Sequence, residues 1–216
     1  MTPALLVSVS ALIFTVASFW WLQARRGELT LSGIPAFSGY ISIRRRIGIR
    51  IPILLYNTGA LTRLVDELRL VFPSWDPGQA EWQTFHPTLK PQSGDNDTED
   101  FAGPYPIDGR RAAMRFVQFT YPFGSTLPEP RETLCRVEAR LDGSSTWTEV
   151  GSFTLHLSHM ASPDRFLTYR NSDDSCEGEP ESTYLAWSTL ADSRGLGAPW
   201  RDGTASDAGD GGEGSA

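Results

Sequence analysis

The first pattern in the chain is an uninterrupted apolar run at its N-terminus. Residues Ala4 to Leu22 form a stretch of 19 residues without a charged side chain. A helix of that length extends about 28 Å, close to the thickness of the hydrocarbon layer of a bilayer. Trp20 and Trp21 stand at its C-terminal end, where indole rings favour the membrane interface. The pattern predicts a transmembrane helix, with residues 1–27 forming the anchor and its basic flank.

A cleaved signal peptide is the alternative interpretation of the same run. A signal peptide needs a basic segment before a shorter apolar stretch, and small residues at the cleavage site. Here no Lys or Arg precedes the run, and Trp20-Trp21-Leu22 occupies the place where small residues would be needed. These features favour a retained, single-pass anchor in the cell membrane.

The charges that follow the run indicate its orientation. Arg25 and Arg26 come directly after it, and further arginines stand at positions 44, 45, 46 and 50. The positive-inside rule then predicts that the C-terminal domain lies in the cytoplasm. An extracytoplasmic domain remains the alternative.

Beyond the anchor, apolar and polar residues alternate with the period of a β-strand. The isoleucines at 41, 43, 47, 49, 51 and 53 all occupy odd positions, which is typical of a strand with one buried face. Arg45 shares that parity and would interrupt the apolar row. A turn or bulge near Arg44–Arg46 is therefore expected.

Further segments repeat this alternation and are separated by turn residues. They cover residues 64–72, 114–121, 134–141, 147–157 and 165–170, with turn signals at Asn57-Thr58-Gly59 and Asp142-Gly143. Six to eight strands without long helical periods predict a mainly β fold. We expect an antiparallel, immunoglobulin-like β-sandwich over residues 28–190.

Two segments lack the pattern. Residues 73–109 are rich in Pro, Gly and Asp, and they are predicted to form a long acidic loop. Residues 191–216 are rich in Gly and acidic residues and poor in large apolar ones, so they are predicted to be a disordered tail.

Charge restricts the partners of the chain. The net charge of −7 argues against nucleic-acid binding. Residues 23–72 carry a net +5 and residues 171–216 a net −8. This segregation suits a domain that rests on an anionic leaflet. Solvated strand faces are the favoured explanation of the arginines, because strand alternation would scatter Arg44, Arg45 and Arg46 over two faces. The 18 Arg against one Lys indicate a GC-rich, bacterial source.

The residue types that carry catalysis are sparse, and no catalytic, cofactor-binding or metal-binding residue is assigned. His156 and His159 would point to opposite faces of the predicted strand, which disfavours a shared metal. Cys135 falls in an alternating apolar row and is interpreted as a buried hydrophobe. The cluster from Asp95 to Asp100 begins like a calcium loop, but Asp100 replaces its glycine and Pro106 its bidentate glutamate. No cofactor is expected.

One segment carries a family resemblance. Ile51–Ala60, which reads IPILLYNTGA, followed by Leu68–Phe72, resembles uncharacterised bacterial single-pass membrane proteins with an immunoglobulin-like β domain. The resemblance implies a strand-turn-strand unit within such a fold. It implies no activity, ligand or functional residue.

Together these patterns favour a membrane-anchored, non-catalytic β-sandwich that acts as a protein-interaction module. Its expected partners are the lipid bilayer and another membrane or cytoplasmic protein. One alternative is a ligand- or calcium-binding module that works through the loop 75–105. Another is a hydrolase with an unrecognised site.

Overall fold

The chain begins with one exposed apolar helix. The computed structural model describes residues 3–75, 78–93, 97–172 and 180–203. Helix α1 (Pro3–Phe19) continues into a π-helical turn at Trp20–Ala24. The combined helix has 22 residues, its most apolar 18-residue stretch has a mean hydropathy of 2.0, and none of that stretch is buried against the rest of the chain. By length and composition it can cross a membrane, two criteria that a signal sequence also meets.

Three of the four hydroxyl side chains of α1 have partners within the helix. Each of three hydroxyl groups donates to the carbonyl oxygen four residues earlier, namely Ser8 to Ala4, Ser10 to Leu6 and Thr15 to Ala11, at 2.8–3.0 Å. Each of these three hydroxyl protons is therefore hydrogen-bonded without water. The helix is therefore suited to a hydrocarbon environment despite its Ser and Thr content.

The rest of the described chain is dominated by β structure. Its strands are β1 (Leu29–Leu31), β2 (Ala36–Ser42), β3 (Arg46–Asn57), β4 (Arg63–Val71), β5 (Gln79–His86), β6 (Asp100–Phe101), β7 (Tyr105–Ile107), β8 (Ala112–Pro122), β9 (Glu132–Leu141), β10 (Thr148–His156) and β11 (Leu167–Arg170). A short 3-10 turn lies at Leu157–His159, and helices α2 (Pro180–Arg194) and α3 (Trp200–Gly203) follow. The predicted mainly β fold is confirmed.

All these strands belong to one curled antiparallel sheet. Its main order is β10-β9-β4-β5-β8-β3-β2-β11, while β6 and β7 add to β5 and β4. Strand β3 pairs with β8 along one edge, and with both β2 and β1 along the other. Strand β1 in turn lies beside β10, where Leu31 packs against Gly151, so the sheet curls around one core. The predicted immunoglobulin-like sandwich of two sheets is not confirmed, because alternation identifies strands but not their partners.

The alternation in β3 does mark the core. Its isoleucines at 47, 49, 51 and 53 are buried, as is Ile41 in β2. Between the two strands, Ile43–Arg45 forms the predicted turn, with Arg45 in the left-handed region at φ 57°. Ile43 leaves the apolar row and is 86% exposed at the tip of that turn.

The segment 73–109 is not the continuous loop that was predicted. Strand β5 occupies residues 79–86 and pairs with β4 on one side and β8 on the other. Strands β6 and β7 follow within the same segment. The prolines and glycines that flank β5 hid its strand pattern in the sequence. The strand is stabilised by pairing with β4 and β8 on its two sides. What remains of the loop lies mainly in residues 87–93 and 97–99, and we call these residues the connection 87–99.

Helix α2 was not predicted, and it closes the sheet at one end. Its apolar side chains Trp187, Leu190 and Ala191 are buried, and the Trp187 indole donates to the carbonyl of Met160 at 3.0 Å. Gly195, at φ 60°, ends the helix. The amide of Leu196 then bonds the carbonyl of Ala191 at 2.9 Å, which caps the last turn.

The predicted tail from residue 191 therefore begins inside the folded unit. Ala191 and Leu196 are buried, and the Trp200 indole donates to the Ser188 hydroxyl at 3.0 Å. Residues 204–216, the remainder of the predicted disordered tail, lie outside the described residues.

The two ends of β3 face different surroundings. Its last residues pair with β1, which follows α1, whereas its first residue follows the turn at Ile43–Arg45. Twelve strand residues separate these ends by about 36 Å. Arg44, Arg45 and Arg46 are therefore remote from the end of α1, although the positive-inside argument had counted them with Arg25 and Arg26. Arg50 is buried.

We expect Trp187→Ala to lower the free energy of unfolding by about 3–5 kcal/mol, because it opens a cavity and removes the Met160 contact. Leu185→Ala on the same helix should change it by less than about 0.5 kcal/mol, since Leu185 is 69% exposed. Urea unfolding of the full chain in detergent, followed by tryptophan fluorescence, measures both. Equal effects of the two substitutions would contradict the role of α2 in closing the sheet.

Candidate functional site

The junction between α1 and the sheet is a hydrogen-bonded clamp. The amide of Ala60 donates to the carbonyl of Arg25 at 2.8 Å, and the amide of Thr58 donates to the carbonyl of Glu28 at 3.0 Å. The Glu28 amide in return donates to the Thr58 hydroxyl oxygen at 2.9 Å. Gly27 and Gly59 come so close that a Cβ on Gly27 would lie 1.8 Å from the Gly59 nitrogen. The sheet is therefore held directly against the helix end, without a free linker.

A row of polar side chains crosses five strands on the face of the sheet opposite the core. The register places Thr168, Ser38, Arg50, Gln118 and Thr84 opposite one another on β11, β2, β3, β8 and β5. The hydroxyl oxygens of Ser38 and Thr168 lie 2.8 Å apart, and Arg50 donates to Gln118 at 3.4 Å. We call these five residues the polar row.

The connection 87–99 covers the polar row and is held there by an ion pair. The guanidinium of Arg50 donates to both carboxylate oxygens of Asp97, at 2.9 and 2.5 Å, and to the carbonyl of Thr88 at 3.2 Å. The Arg50 side chain is fully buried and lies over the Phe166 ring, whereas that of Asp97 is 21% exposed. Such a bidentate pair is strong, and Arg50 without its partner would be a costly buried charge.

His86 completes the network as a neutral ring. Its Nδ1 lies against the backbone carbonyl of Asp97, which can only accept, so Nδ1 carries the proton. Its Nε2 then accepts from the Thr84 hydroxyl at 2.7 Å. Burial lowers the pKa of His86, with the nearby Arg50 charge acting in the same direction. Burial by itself would raise the pKa of Asp97, but the hydrogen bonds from Arg50 and the Gln92 amide outweigh it and leave that pKa low.

This network stabilises the fold and offers little for ligand binding. Both carboxylate oxygens of Asp97 are engaged, so this member of the predicted calcium cluster already has a cation partner in Arg50. Asp95 and Asn96 lie outside the described residues. Sequence reasoning missed the network because its members are spread over 130 residues, from Ser38 to Thr168. The one available signal was the Arg50 position itself, a charge in the middle of a strongly apolar strand.

The two histidines of the predicted strand lie together, contrary to expectation. Strand β10 ends at His156 and a 3-10 turn follows, so the rings of His156 and His159 stack with centroids 5.2 Å apart. His156 Nδ1 lies 3.6 Å from Glu132, and His159 Nδ1 lies 2.9 Å from the Arg170 carbonyl oxygen. Among the residues that the structure describes, no group of three or more His, Cys, Asp or Glu side chains could hold a metal ion.

The cysteine has the position that its alternating row predicted. Cys135 is a buried free thiol in β9, and burial raises its pKa far above the ordinary value. A thiol with a raised pKa is a poor nucleophile at neutral pH. Cys176 lies outside the described residues.

The turn between β2 and β3 lies at the end of the domain remote from α1. Ile43 projects from its turn, and the adjacent Arg44, Arg45 and Arg46 are all exposed. We call these four residues the distal turn. Arg194 at the end of α2 donates to the carbonyls of Ile41 and Ser42, at 3.1 and 2.9 Å, and so fastens the helix beside this turn.

An open groove continues this surface along α2. It has a volume of about 480 Å³ and lies between the helix and residues 161–164. Leu185, Ala186 and Leu190 line its helix side, and Ala161 and Pro163 line the other. We use "distal surface" for the distal turn together with this groove.

We expect Asp97→Ala to lower the free energy of unfolding by about 3 kcal/mol, because Arg50 would stay buried without its counter-charge. Glu99→Gln provides the matched control, since Glu99 and Arg115 form an exposed pair at 3.2 Å. Exposed pairs contribute at most about 1 kcal/mol. Urea unfolding distinguishes the two variants, and a small effect of Asp97→Ala would contradict a stabilising role for the network.

We also expect the free energy of unfolding to fall as the pH drops below 6.5. That value is the ordinary pKa of histidine, and burial lowers the pKa of His86 from it. The unfolded chain then binds a proton that the buried ring refuses, so unfolding is favoured. A second loss should follow below pH 3.8, as Asp97 is protonated. His86→Asn should flatten the first decline and preserve the second. Melting temperatures measured from pH 8 to 3 test this, and an unchanged profile in the variant would assign the decline to other groups.

Comparison with known proteins does not assign a family or a function to this chain. No family model matches this chain, and neither a curated protein nor a solved structure matches it. The functional inference therefore depends on the surfaces and contacts of the chain itself.

Proposed function

We propose that the protein is a single-pass membrane protein whose non-catalytic β domain binds another protein through the distal surface. The observation that carries this proposal is Ile43, a large apolar side chain 86% exposed at the tip of a turn and followed by three exposed arginines. An apolar tip beside Arg side chains is the composition found at binding hot spots.

A contact beside the junction supports a retained anchor. The Arg110 guanidinium donates to the carbonyl oxygen of Trp21 at 2.7 Å. A signal-peptide cut near Leu22 would remove that carbonyl, whereas the clamp residues Arg25 and Glu28 follow the cut and would remain. The contact with Trp21 therefore favours an anchor over a removable leader.

The chemistry of the distal surface specifies the kind of partner. Ile43 needs an apolar pocket, and Arg44, Arg45 and Arg46 favour acidic side chains around it. The groove beside Leu185 adds a second apolar site on the same end of the domain. The partner is thus a protein with an apolar pocket and an acidic rim, placed about 36 Å from the junction with α1.

The candidate catalytic groups support a non-catalytic domain. Cys135 is buried with a raised pKa, and His86 is enclosed by Thr84 and the connection 87–99. A hydrolase would need such groups to be accessible to substrate, whereas here Cys135 is buried in the core and His86 is hydrogen-bonded to its neighbours. The resemblance to bacterial single-pass proteins with an immunoglobulin-like domain is part of the same proposal, as is a cytoplasmic position of the domain.

Photo-crosslinking from position 43 tests the proposed contact. The full chain, carrying p-benzoyl-phenylalanine in place of Ile43, is expressed in its membrane and irradiated. We expect a discrete adduct, and we expect the double substitution Arg44→Glu and Arg45→Glu to abolish it, because like charges would face the acidic rim. The control is the same probe at Ser145, an exposed residue in the loop between β9 and β10.

The protein found in that adduct then serves in a binding measurement. Ile43→Ser should weaken its affinity at least about tenfold, the effect of losing one central apolar contact. An adduct that survives the charge reversal, or that forms equally from position 145, would overturn the proposed surface.

A further inference from the structure

We propose that the end of the sheet next to α1 binds anionic phospholipid headgroups through four arginines, Arg25, Arg26, Arg110 and Arg111. We call them the membrane-facing arginines. Only the first two are near the anchor in sequence, whereas the other two arrive from the loop between β7 and β8. This inference is independent of the distal surface and depends only on the helix lying in lipid.

A direct bond brings the second pair to the helix end. The Arg110 guanidinium donates to the carbonyl oxygen of Trp21 at 2.7 Å. That carbonyl lies in the last turns of the apolar helix, where unpaired carbonyls and the negative end of the helix dipole favour a cation. Trp20 and Trp21 are the residues expected at the headgroup level. Arg110, and Arg111 beside it, therefore reach the same level.

The loop that carries this pair is held by its backbone. Arg110 is in the left-handed region at φ 56°, and its amide donates to the carbonyl of Gly59 at 2.8 Å. The amide of Asn57 donates to the carbonyl of Arg111 at 2.9 Å. Gly59 also contacts Gly27 in the junction clamp, so the loop and the helix end form one hydrogen-bonded unit. The position of the two arginines near the bilayer is thus determined by the fold.

Three of the acidic side chains at this end have protein partners. Asp142 pairs with Arg63 at 2.6 Å, and Asp108 accepts from the Thr62 hydroxyl at 3.2 Å. Asp66 accepts from the Gly143 amide at 2.6 Å. Glu28 is exposed beside the clamp and reduces the positive field.

The membrane-facing arginines themselves remain open to headgroups. Arg26, Arg110 and Arg111 are exposed, and Arg25 lies half-buried with its guanidinium 4.3 Å from the centre of the Trp21 ring. Guanidinium groups pair with phosphate in a bidentate manner, and a cluster of basic residues directly beside a transmembrane helix recruits anionic lipid. The arginines of the distal turn lie several Debye lengths away and do not contribute.

Spin-labelled lipids test this inference on the full chain. The protein is reconstituted in phosphatidylcholine bilayers, and electron spin resonance compares the fraction of motionally restricted phosphatidylserine and phosphatidylcholine probes at its surface. We expect the wild type to prefer phosphatidylserine and the preference to vanish in high salt. The double substitution Arg110→Gln and Arg111→Gln should reduce the preference at least about twofold, because half of the cluster is lost.

Two controls separate charge from structure. Arg44→Gln with Arg45→Gln removes the same charge at the far end and should leave the lipid preference unchanged. Arg110→Lys with Arg111→Lys keeps the charge while altering the Trp21 bond, and it should retain most of the preference. Vesicle flotation and melting curves show that each variant is folded and inserted.

Three outcomes would overturn the inference. The first is an unchanged preference in the glutamine variant, which would assign the effect to Arg25 and Arg26 alone. The second is an equal loss in the distal control, and the third is an absence of selectivity in the wild type. A chain that fails to float with neutral vesicles would overturn both this inference and the proposed anchor, whereas a failure of crosslinking at position 43 would affect only the distal surface.

Discussion

The structure depends on the hydrogen bonding of strand β3 along both of its edges. Strand β8 occupies one edge for nearly the full length of β3, while β2 and β1 share the other. A strand of 12 residues that is paired in this way cannot shift its register without exposing the isoleucines of its core face. Its two ends are thereby fixed in position. One end pairs with β1 at Asn57, next to the junction with α1, and the other leads into the distal turn at Arg46.

The middle of β3 holds a buried charge, Arg50, which is paired with Asp97. Arg50 stands on the face opposite the isoleucines, where a strand would ordinarily meet water. The connection 87–99 covers that face, and Asp97 provides the counter-charge while the His86 ring stays neutral. The desolvation of Arg50 is thus offset by a geometry that also anchors a long connection. The contact is acid-sensitive, because His86 and then Asp97 take up protons as the pH falls.

The two ends of the domain present arginines in different settings. At the junction they lie beside the end of an apolar helix and its tryptophans, a setting suited to lipid headgroups. At the distal turn they surround an exposed isoleucine, a setting suited to a protein with an acidic rim. The separation of about 36 Å along β3 exceeds the range of unscreened interaction in physiological salt, so the two arginine groups act independently. Under the two proposals, one residue type contacts lipid headgroups at one end of the domain and a protein at the other.

The sequence by itself determined the local features of this protein. The uncharged run from Ala4 to Leu22 specified the apolar helix, and the parity of the isoleucines specified β3, its core face and a turn near Arg45. These features are readable because each depends on the period of one element. Strand β5 and helix α2 were not predicted. Prolines and glycines beside them, and apolar residues that follow no clear alternation, left each element with a weak hydrophobic periodicity. Only the tertiary structure decided that the sheet curls as one, that Arg50 finds Asp97, and that Arg110 reaches Trp21. Those contacts join residues 47 and 89 positions apart, and no local pattern encodes which distant partners the burial of a shared core will bring together.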